Sequence, residues 1–155
     1  MPNINDELFH QIDYLALDEK EKISFIEMLV QQYGIDSVVS EIAAVLQSNT
    51  EKKIFIVSLL LRDFSLQRRQ TQGFNQLVTE FRQAVEKSEI FRLMNQNLYS
   101  NDRLIRETTY VTFGKTAFPQ GIQYLKEAIE YYGEHFPDQS ERLQFEYNWL
   151  LHVAQ

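Results

Sequence analysis

The sequence predicts an all-α protein, and two observations carry this prediction. Apolar residues recur along most of the 155-residue chain at spacings of three and four, the period of a helix with one buried face. Only residues 54–64 would also qualify as a strand, and no second strand with turn signals exists to pair with them. Apolar residues make up 44% of the chain, enough for one core, so we expect a single helical domain over residues 1–155.

The first two predicted elements are an amphipathic segment over residues 5–16 and a helix over residues 19–33. Asp18 and Glu21 have the spacing of a capping box, which marks a helix start, and Gly34 stands where a C-terminal cap belongs. The predicted buried stripes are Leu8, Ile12 and Leu15 in the first element, and Ile23, Ile26, Val30 and Tyr33 in the second.

Asp36 is predicted to cap a third helix, and a fourth helix is predicted to begin at Thr50. The fourth contains IFIVSLLLRDF, residues 54–64, which is apolar on nearly every side. Because an isolated strand would leave its backbone groups unsatisfied, we predict a central helix covered on several sides. The buried residues expected in the third helix are Val39, Ile42, Ala43 and Leu46.

Residues 65–73 are polar and predict a loop, with Thr71 as a cap for the next helix. A shorter helix is expected near residues 89–98. The helix after Thr71 is predicted to bury Phe74, Leu77, Val78, Phe81 and Val85.

Three more helices are predicted in the last third of the chain. The first is capped by Ser100 or Asn101 and ends at Gly114, since glycine commonly follows a helix. The second has Pro119 in its first turn and ends at Gly133. The last is introduced by Pro137 and Asp138, and its apolar residues Leu143, Tyr147, Leu150 and Ala154 keep helical spacing.

The segment NDRLIRETTYVTFGK, residues 101–115, resembles the helix-turn-helix unit of HEAT-type repeats over residues 101–130. The residues that carry the resemblance are Ile105 with Arg106, Thr109 with Tyr110, Phe113 with Gly114, and Ile122 with Leu125 in the second helix. The resemblance implies a right-handed α-α superhelix of about four antiparallel helix pairs, used as a binding scaffold. It also implies a structural Arg106, held by an acid or by carbonyl groups of a neighbouring helix.

The sequence carries no recognisable catalytic or cofactor motif. There is no cysteine, the five glycines stand singly, and the three histidines lie far apart in sequence. We therefore predict no enzyme, cofactor, metal site or evident small-molecule substrate, although a helical enzyme with an unrecognised carboxylate site remains an alternative. The N-terminus lacks signal-peptide character and no apolar run would span a membrane, so we expect a cytoplasmic protein.

The net charge of −7 is unevenly distributed along the chain. Residues 1–50 carry nine acidic and two basic side chains, whereas residues 51–100 carry five acidic and eight basic ones. An acidic protein is repelled by nucleic acids and membrane phosphates and attracts basic partners. The charge therefore predicts a protein partner with a basic surface and disfavours nucleic acid and membranes.

The predicted contact surface lies on the helix after Pro119. Its core side is marked by Ile122, Leu125 and Ile129, and four residues share the opposite side: Tyr124, Glu127, Tyr131 and Glu134. Tyrosine anchors with a carboxylate rim suit the recognition of a basic protein surface. In the alternative interpretation the tyrosines pack against the last helix, where Phe145 and Trp149 also need cover.

These observations favour a non-enzymatic protein-binding module. One class that fits is an immunity-type inhibitor, which would bind and neutralise a basic toxin or another basic protein. The alternative is a nucleic-acid-binding HEAT-like protein that uses a basic patch within residues 62–82. That patch consists of Arg62, Arg68, Arg69 and Arg82.

Overall fold

The computed structural model describes residues 4–7, 9, 13–48, 50–65 and 72–154. Within this part of the chain every regular element is a helix and none is a strand, which confirms the predicted all-α class. A 3₁₀ turn covers Tyr14–Ala16, and the α-helices are α1 (Ile4–Asp6), α2 (Glu19–Tyr33), α3 (Ile35–Gln47), α4 (Glu51–Ser65), α5 (Gln72–Glu86), α6 (Ile90–Leu98), α7 (Arg103–Thr116), α8 (Gly121–His135) and α9 (Pro137–Val153).

The chain divides into two compact units, Met1–Ile90 and Phe91–Gln155. In the first unit α2, α3, α4 and α5 pack on one another, and in the second unit α7, α8 and α9 do so. A single domain over residues 1–155 stays a prediction.

The start of α2 confirms the predicted capping box. The backbone N–H of Glu21 donates to the Asp18 carboxylate at 2.8 Å, and the N–H of Asp18 donates to the Glu21 carboxylate at 3.0 Å. Gly34 follows the helix with a φ of 86°, a conformation that side chains with a Cβ rarely adopt. Among the predicted stripe, Ile23 and Ile26 are buried and Val30 and Tyr33 are half-buried.

The segment predicted over residues 5–16 is not one continuous helix in its described residues. It contains the short α1 and the 3₁₀ turn, where Tyr14 is buried and the predicted core residue Leu15 is exposed. The Tyr14 hydroxyl donates to Asp63 of α4 at 2.5 Å, so a polar anchor places this turn. The predicted core residues Leu8 and Ile12 lie outside the described residues.

Asp36 lies inside the first turn of α3 and does not cap it, because Gly34 occupies the N-cap position. The predicted central helix is confirmed: α4 covers Glu51–Ser65 and buries residues around most of its circumference. These buried residues are Ile54, Ile56, Val57, Ser58, Leu60, Leu61, Phe64 and Ser65.

Helices α5 and α6 agree with the predicted elements. In α5, Val78, Phe81 and Val85 are buried and Leu77 is half-buried, and the Phe81 ring stacks on Phe64 of α4 at 3.8 Å. Most of the predicted loop, its cap Thr71, and the Phe74 side chain lie outside the described residues. The expected helix near residues 89–98 is α6.

Helix α7 begins and ends later than the sequence predicts. Asp102 is its N-cap, since its carboxylate accepts the N–H of Ile105 at 3.0 Å, so neither Ser100 nor Asn101 has that role. Gly114 does not end the helix, which continues to Thr116. A Cβ on Gly114 would overlap the carboxylate of Glu146 in α9, so glycine serves close packing here.

Helix α8 also continues past its predicted end. Gly133 lies inside the helix with no neighbouring atom within 4 Å of an added Cβ, and the last residue is His135. Pro119 lies in the turn before α8 and accepts the N–H of Ile122 at 3.1 Å. The core side is centred on Leu125, Ala128 and Tyr132, whereas the predicted core residues Ile122 and Ile129 are half-buried.

Contacts define how α7, α8 and α9 run in the second unit. Arg106 lies over the Phe136 ring and Phe113 contacts Tyr124, so α7 and α8 are antiparallel. An added Cβ on Gly121, at the start of α8, would contact Leu150 near the end of α9, so these two helices are also antiparallel. Helices α7 and α9 are consequently parallel.

The predicted start of the last helix is confirmed, with Pro137 at its first position and Asp138 in its first turn. Leu143 and Leu150 are buried, Tyr147 is half-buried, and Ala154 follows the last residue of the helix. None of the helices in the described residues has the length and apolarity that would let it cross a membrane.

Candidate protein-binding surface

The predicted contact residues lie along one side of α8. Glu127 and Glu134 are exposed, and the Tyr131 side chain between them is 38% exposed. Tyr124 is half-buried, with its ring 5.9 Å from the Phe113 ring of α7. We call Glu127, Tyr131 and Glu134 the α8 surface, because these three of the four predicted residues are exposed.

Aromatic neighbours hold the Tyr131 ring in place. The His135 ring, one helical turn later, stacks on it at 4.0 Å with an interplanar angle of 9°. Tyr99, in the turn after α6, meets it edge to face at 5.0 Å, and Phe136 lies 5.8 Å away. Edge-to-face and offset-stacked rings are the favoured aromatic arrangements, so these contacts restrict the Tyr131 rotamer.

We call Tyr131 with Tyr99, His135 and Phe136 the aromatic cluster. Buried side chains lie beneath it and support it. Arg106 is 6% exposed, and its guanidinium carbon lies 3.7 Å from the Phe136 ring centroid. Its Nε–H donates to the Gln139 side-chain oxygen at 2.8 Å, and an Nη1–H donates to the Ser100 carbonyl at 3.0 Å. An acid or carbonyl groups of a neighbouring helix were predicted to hold Arg106; the acceptor in α9 is instead the side-chain amide of Gln139, and the one backbone carbonyl is that of Ser100, in the turn before α7 itself.

Tyr132 ties α8 to the end of α6. Its side chain is fully buried, and its hydroxyl donates to the Leu98 carbonyl at 2.5 Å. Burial raises the pKa of Tyr132 well above its usual range, so the phenol stays protonated and keeps this hydrogen bond. Because Tyr131 and Tyr132 are consecutive, they point to different sides of α8, one toward solvent and one into the core.

The α8 surface is negatively charged and partly ordered by hydrogen bonds. The Gln123 amide donates to the Glu127 carboxylate at 2.9 Å, one turn earlier on α8. Burial raises the pKa of Tyr99, and the charge of Glu127 raises it further. The α8 surface therefore combines the Tyr131 ring with two exposed carboxylates, Glu127 and Glu134.

The ring contacts of Tyr131 are with Tyr99, His135 and Phe136, which is the N-cap residue of α9, so the alternative interpretation, in which both tyrosines pack against α9, stays a prediction. The aromatic residues of α9 that were expected to need cover remain exposed. Phe145 is 58% exposed and Trp149 45% exposed.

Of the predicted basic patch, only Arg62 and Arg82 fall within the described residues, and both are half-buried. An Nη1–H of Arg82 donates to the carbonyl of Ser65, the last residue of α4, at 3.3 Å. Burial lowers the pKa of Arg82, and the charge of Glu86 raises it. Arg68 and Arg69 lie outside the described residues.

Two of the three histidines can be placed. His135 is exposed and stacks on Tyr131, whereas His152 is exposed beside the Trp149 ring at 6.2 Å. His10 lies outside the described residues. Across the residues that the structure describes, no group of three acidic or histidine side chains is arranged to hold a metal ion.

The three ring neighbours of Tyr131 were missed in the sequence: Tyr99, His135 and Phe136. The spacing of four between Tyr131 and His135 could have indicated their contact, since such pairs are neighbours on a helix. No local pattern links Tyr99 to a residue 32 positions later.

Comparisons of the chain with protein-family models, curated proteins and solved structures gave no match.

Proposed function

We propose that this protein is a non-enzymatic binding module whose α8 surface contacts a basic protein partner. The observation that carries the proposal is the exposed Tyr131 ring, which its aromatic neighbours hold in one orientation. A few aromatic side chains supply much of the affinity in protein interfaces. A ring that is already oriented loses little conformational freedom on binding, so Tyr131 suits the role of an anchor.

The charge around Tyr131 supports a basic partner. Glu127 and Glu134 lie one turn or less away on the same side of α8, and the chain carries a net charge of −7. Opposite charges at the rim of an interface accelerate association and exclude wrong partners. A partner with lysines and arginines around an apolar contact would complement this surface.

Within this function we propose an immunity-type inhibitor, which neutralises a basic toxin or another basic protein by stoichiometric binding. Size and acidic charge support this subclass, and so does a sequence without catalytic motifs. We further propose a HEAT-like stacking of helix pairs. The antiparallel pairs α7–α8 and α8–α9, with α7 parallel to α9, support this arrangement.

Affinity capture with matched baits tests the proposal. The wild type, the double variant Glu127→Lys with Glu134→Lys, and Tyr131→Ala would each be immobilised in extract from the producing cells. Glu27→Lys with Glu141→Lys is the control, because it makes the same charge change at exposed positions of α2 and α9. We expect a basic protein that the wild type and the control retain and that both α8 variants lose. Equal retention by all four baits, or an acidic protein as the only specific one, would contradict the proposal.

Binding kinetics with the captured protein then separate the two contributions. The Glu127→Lys and Glu134→Lys pair should lower the association rate and flatten its dependence on salt, because charges at the rim act mainly on encounter. Tyr131→Ala should mainly raise the dissociation rate, because a central anchor acts after the complex has formed. The opposite assignment of rates would show that Tyr131 is not the anchor.

A further inference from the structure

We propose that two copies of this chain pair through the exposed side of α9, with the two helices antiparallel. This inference is independent of the proposed function, because it concerns a different helix. Five exposed residues at helical spacing mark the contact: Asp138, Arg142, Phe145, Trp149 and His152. We call them the α9 face.

The centre of the α9 face is apolar. Phe145 is 58% exposed and Trp149, one turn later, is 45% exposed. Val153, a further turn along the helix, is 37% exposed. Single exposed apolar side chains are common on soluble proteins, whereas a contiguous group of large ones marks an interaction surface. Removing these side chains from water is the term that favours association with a second protein surface.

The α9 face is arranged symmetrically about Phe145. Asp138 precedes Phe145 and His152 follows it by seven residues each, close to two helical turns, so the three lie on one line. Arg142 precedes Phe145 by three residues and Trp149 follows it by four, and both lie on the same side of that line. A two-fold axis at Phe145, perpendicular to the helix, therefore places each residue before Phe145 opposite one that follows it in the second copy.

The facing residues are complementary in this antiparallel pair. The Asp138 carboxylate faces the His152 imidazole of the second copy, an acceptor opposite a ring with an N–H donor. The Arg142 guanidinium faces the indole of Trp149, the aromatic ring that binds cations best. Because the interface is isologous, each contact forms twice. A parallel pair would instead set Asp138 beside Asp138 and Arg142 beside Arg142, where like charges repel, so the charges specify the antiparallel arrangement.

The two charged residues of the α9 face remain accessible, although each has an ion pair within its own chain. Arg142 pairs with the buried Glu146 at 3.4 Å, yet its side chain is 52% exposed. Asp138 pairs with Arg103, and its side chain is 56% exposed. A guanidinium has five N–H donors and a carboxylate accepts several hydrogen bonds, so each group can bind the second copy without losing its first partner.

Sedimentation equilibrium of the full chain tests the pairing at about 0.15 M salt, where the like net charges of two copies are screened. We expect a monomer–dimer equilibrium. Phe145→Glu should weaken the dimer by about tenfold or more, because it sets two carboxylates at the axis. Leu15→Glu, the same change at an exposed apolar residue of the other unit, should leave it unchanged. A wild type that stays monomeric up to about 1 mM, or equal weakening by two variants that keep the helical circular dichroism signal, would overturn the proposal.

Cysteine cross-linking tests the antiparallel register, because the chain has no cysteine of its own. Glu141 precedes Phe145 by four residues and Asn148 follows it by three, so these two exposed residues face each other across the axis. A short bismaleimide should join a mixture of Glu141→Cys and Asn148→Cys into a product of twice the chain mass, which distinguishes it from an adduct with any other protein. Each variant alone should give little product, since its two thiols lie roughly 10 Å apart along the helix.

Product from one variant alone at the yield of the mixture would contradict the antiparallel register. A dimer in sedimentation that gives no product in the mixture would show that the copies pair elsewhere and would overturn the α9 face.

Discussion

At the scale of single residues, Arg106 links the buried layer of the second unit to its surface. A buried charge is costly unless its donors are satisfied, and this guanidinium donates to Gln139 and to the Ser100 carbonyl. It also lies against the Phe136 ring, which contacts Tyr131 in turn. The same side chain therefore stabilises the helix packing and supports the aromatic cluster of the α8 surface.

We predict that Arg106→Ala lowers the free energy of unfolding by about 1 to 3 kcal/mol, because the buried Gln139 oxygen and the half-buried Ser100 carbonyl would lose their donors. Urea unfolding followed by circular dichroism measures this loss. Arg103→Ala is the control: its ion pair with Asp138 is exposed, and exposed pairs contribute about 0 to 1 kcal/mol. Equal losses for the two variants would show that burial does not determine how much Arg106 contributes to the free energy of unfolding.

The consecutive tyrosines of α8 offer a second matched comparison. Tyr132→Ala should destabilise the protein by about 3 to 5 kcal/mol, as the deletion of a buried aromatic side chain does. Tyr131→Ala should cost well under half of that, because this ring is partly exposed. The midpoints of chemical unfolding measure the loss of stability in each variant. A loss of several kcal/mol for Tyr131→Ala would make Tyr131 a core residue and would remove the proposed anchor.

At the scale of the helices, the sequence predicted which helices form better than it predicted the residues at which they begin and end. The capping box of α2 was found because a local pattern, Asp18 with Glu21, determines it. Gly114 and Gly133 were misassigned as helix ends, because glycine also occurs inside helices and only the neighbours in space distinguish the two cases. Gly114 is required by Glu146, a residue of another helix.

The core side of α8 shows that hydropathy alone did not predict which residues are buried. Hydropathy favoured Ile122 and Ile129, yet the buried side includes Ala128 and Tyr132. Tyr132 is accommodated in the core because its hydroxyl reaches the Leu98 carbonyl, a partner that the local sequence does not reveal. The stripe with Tyr131 was still found, since helical period alone determines which residues share a side.

The two internal glycines predict opposite effects of the same substitution. Gly133→Ala should raise the free energy of unfolding by about 0.5 to 1 kcal/mol, because alanine favours a helix interior and its Cβ meets no neighbour. Gly114→Ala should lower it, because the added Cβ overlaps the Glu146 carboxylate, which is buried and has little room to move. Thermal unfolding of both variants measures the signs. A stabilised Gly114→Ala would show that this contact between α7 and α9 is not tight.

At the scale of the whole molecule, buried tyrosines make stability sensitive to alkaline pH. Burial is the main cause that raises the pKa of Tyr99, Tyr110 and Tyr132. Unfolded tyrosines lose their protons near pH 10, whereas these three lose theirs at a higher pH in the folded state. The unfolded state then binds fewer protons, so the free energy of unfolding is unaffected by these groups below about pH 10 and falls as the pH rises beyond it.

Unfolding measured at about pH 8 and about pH 11 tests this dependence. Tyr132→Phe should show a smaller fall in stability between the two values than the wild type, because phenylalanine does not ionise. The variant also loses the hydrogen bond to Leu98, so it should be less stable than the wild type at the lower pH. An identical fall in both proteins would show that Tyr132 ionises without unfolding.

The central claim, that the α8 surface contacts a basic protein, is tested most directly by photocrosslinking at position 131. A photoreactive benzoylphenylalanine would replace Tyr131 in the producing cells, and the same amino acid at exposed Phe145 of α9 would serve as the control. We predict that illumination yields one discrete adduct with a basic protein from position 131, and that Glu127→Lys with Glu134→Lys abolishes it. An adduct with a basic protein that forms from position 145 but not from position 131, or one that survives the charge reversal, would contradict the account.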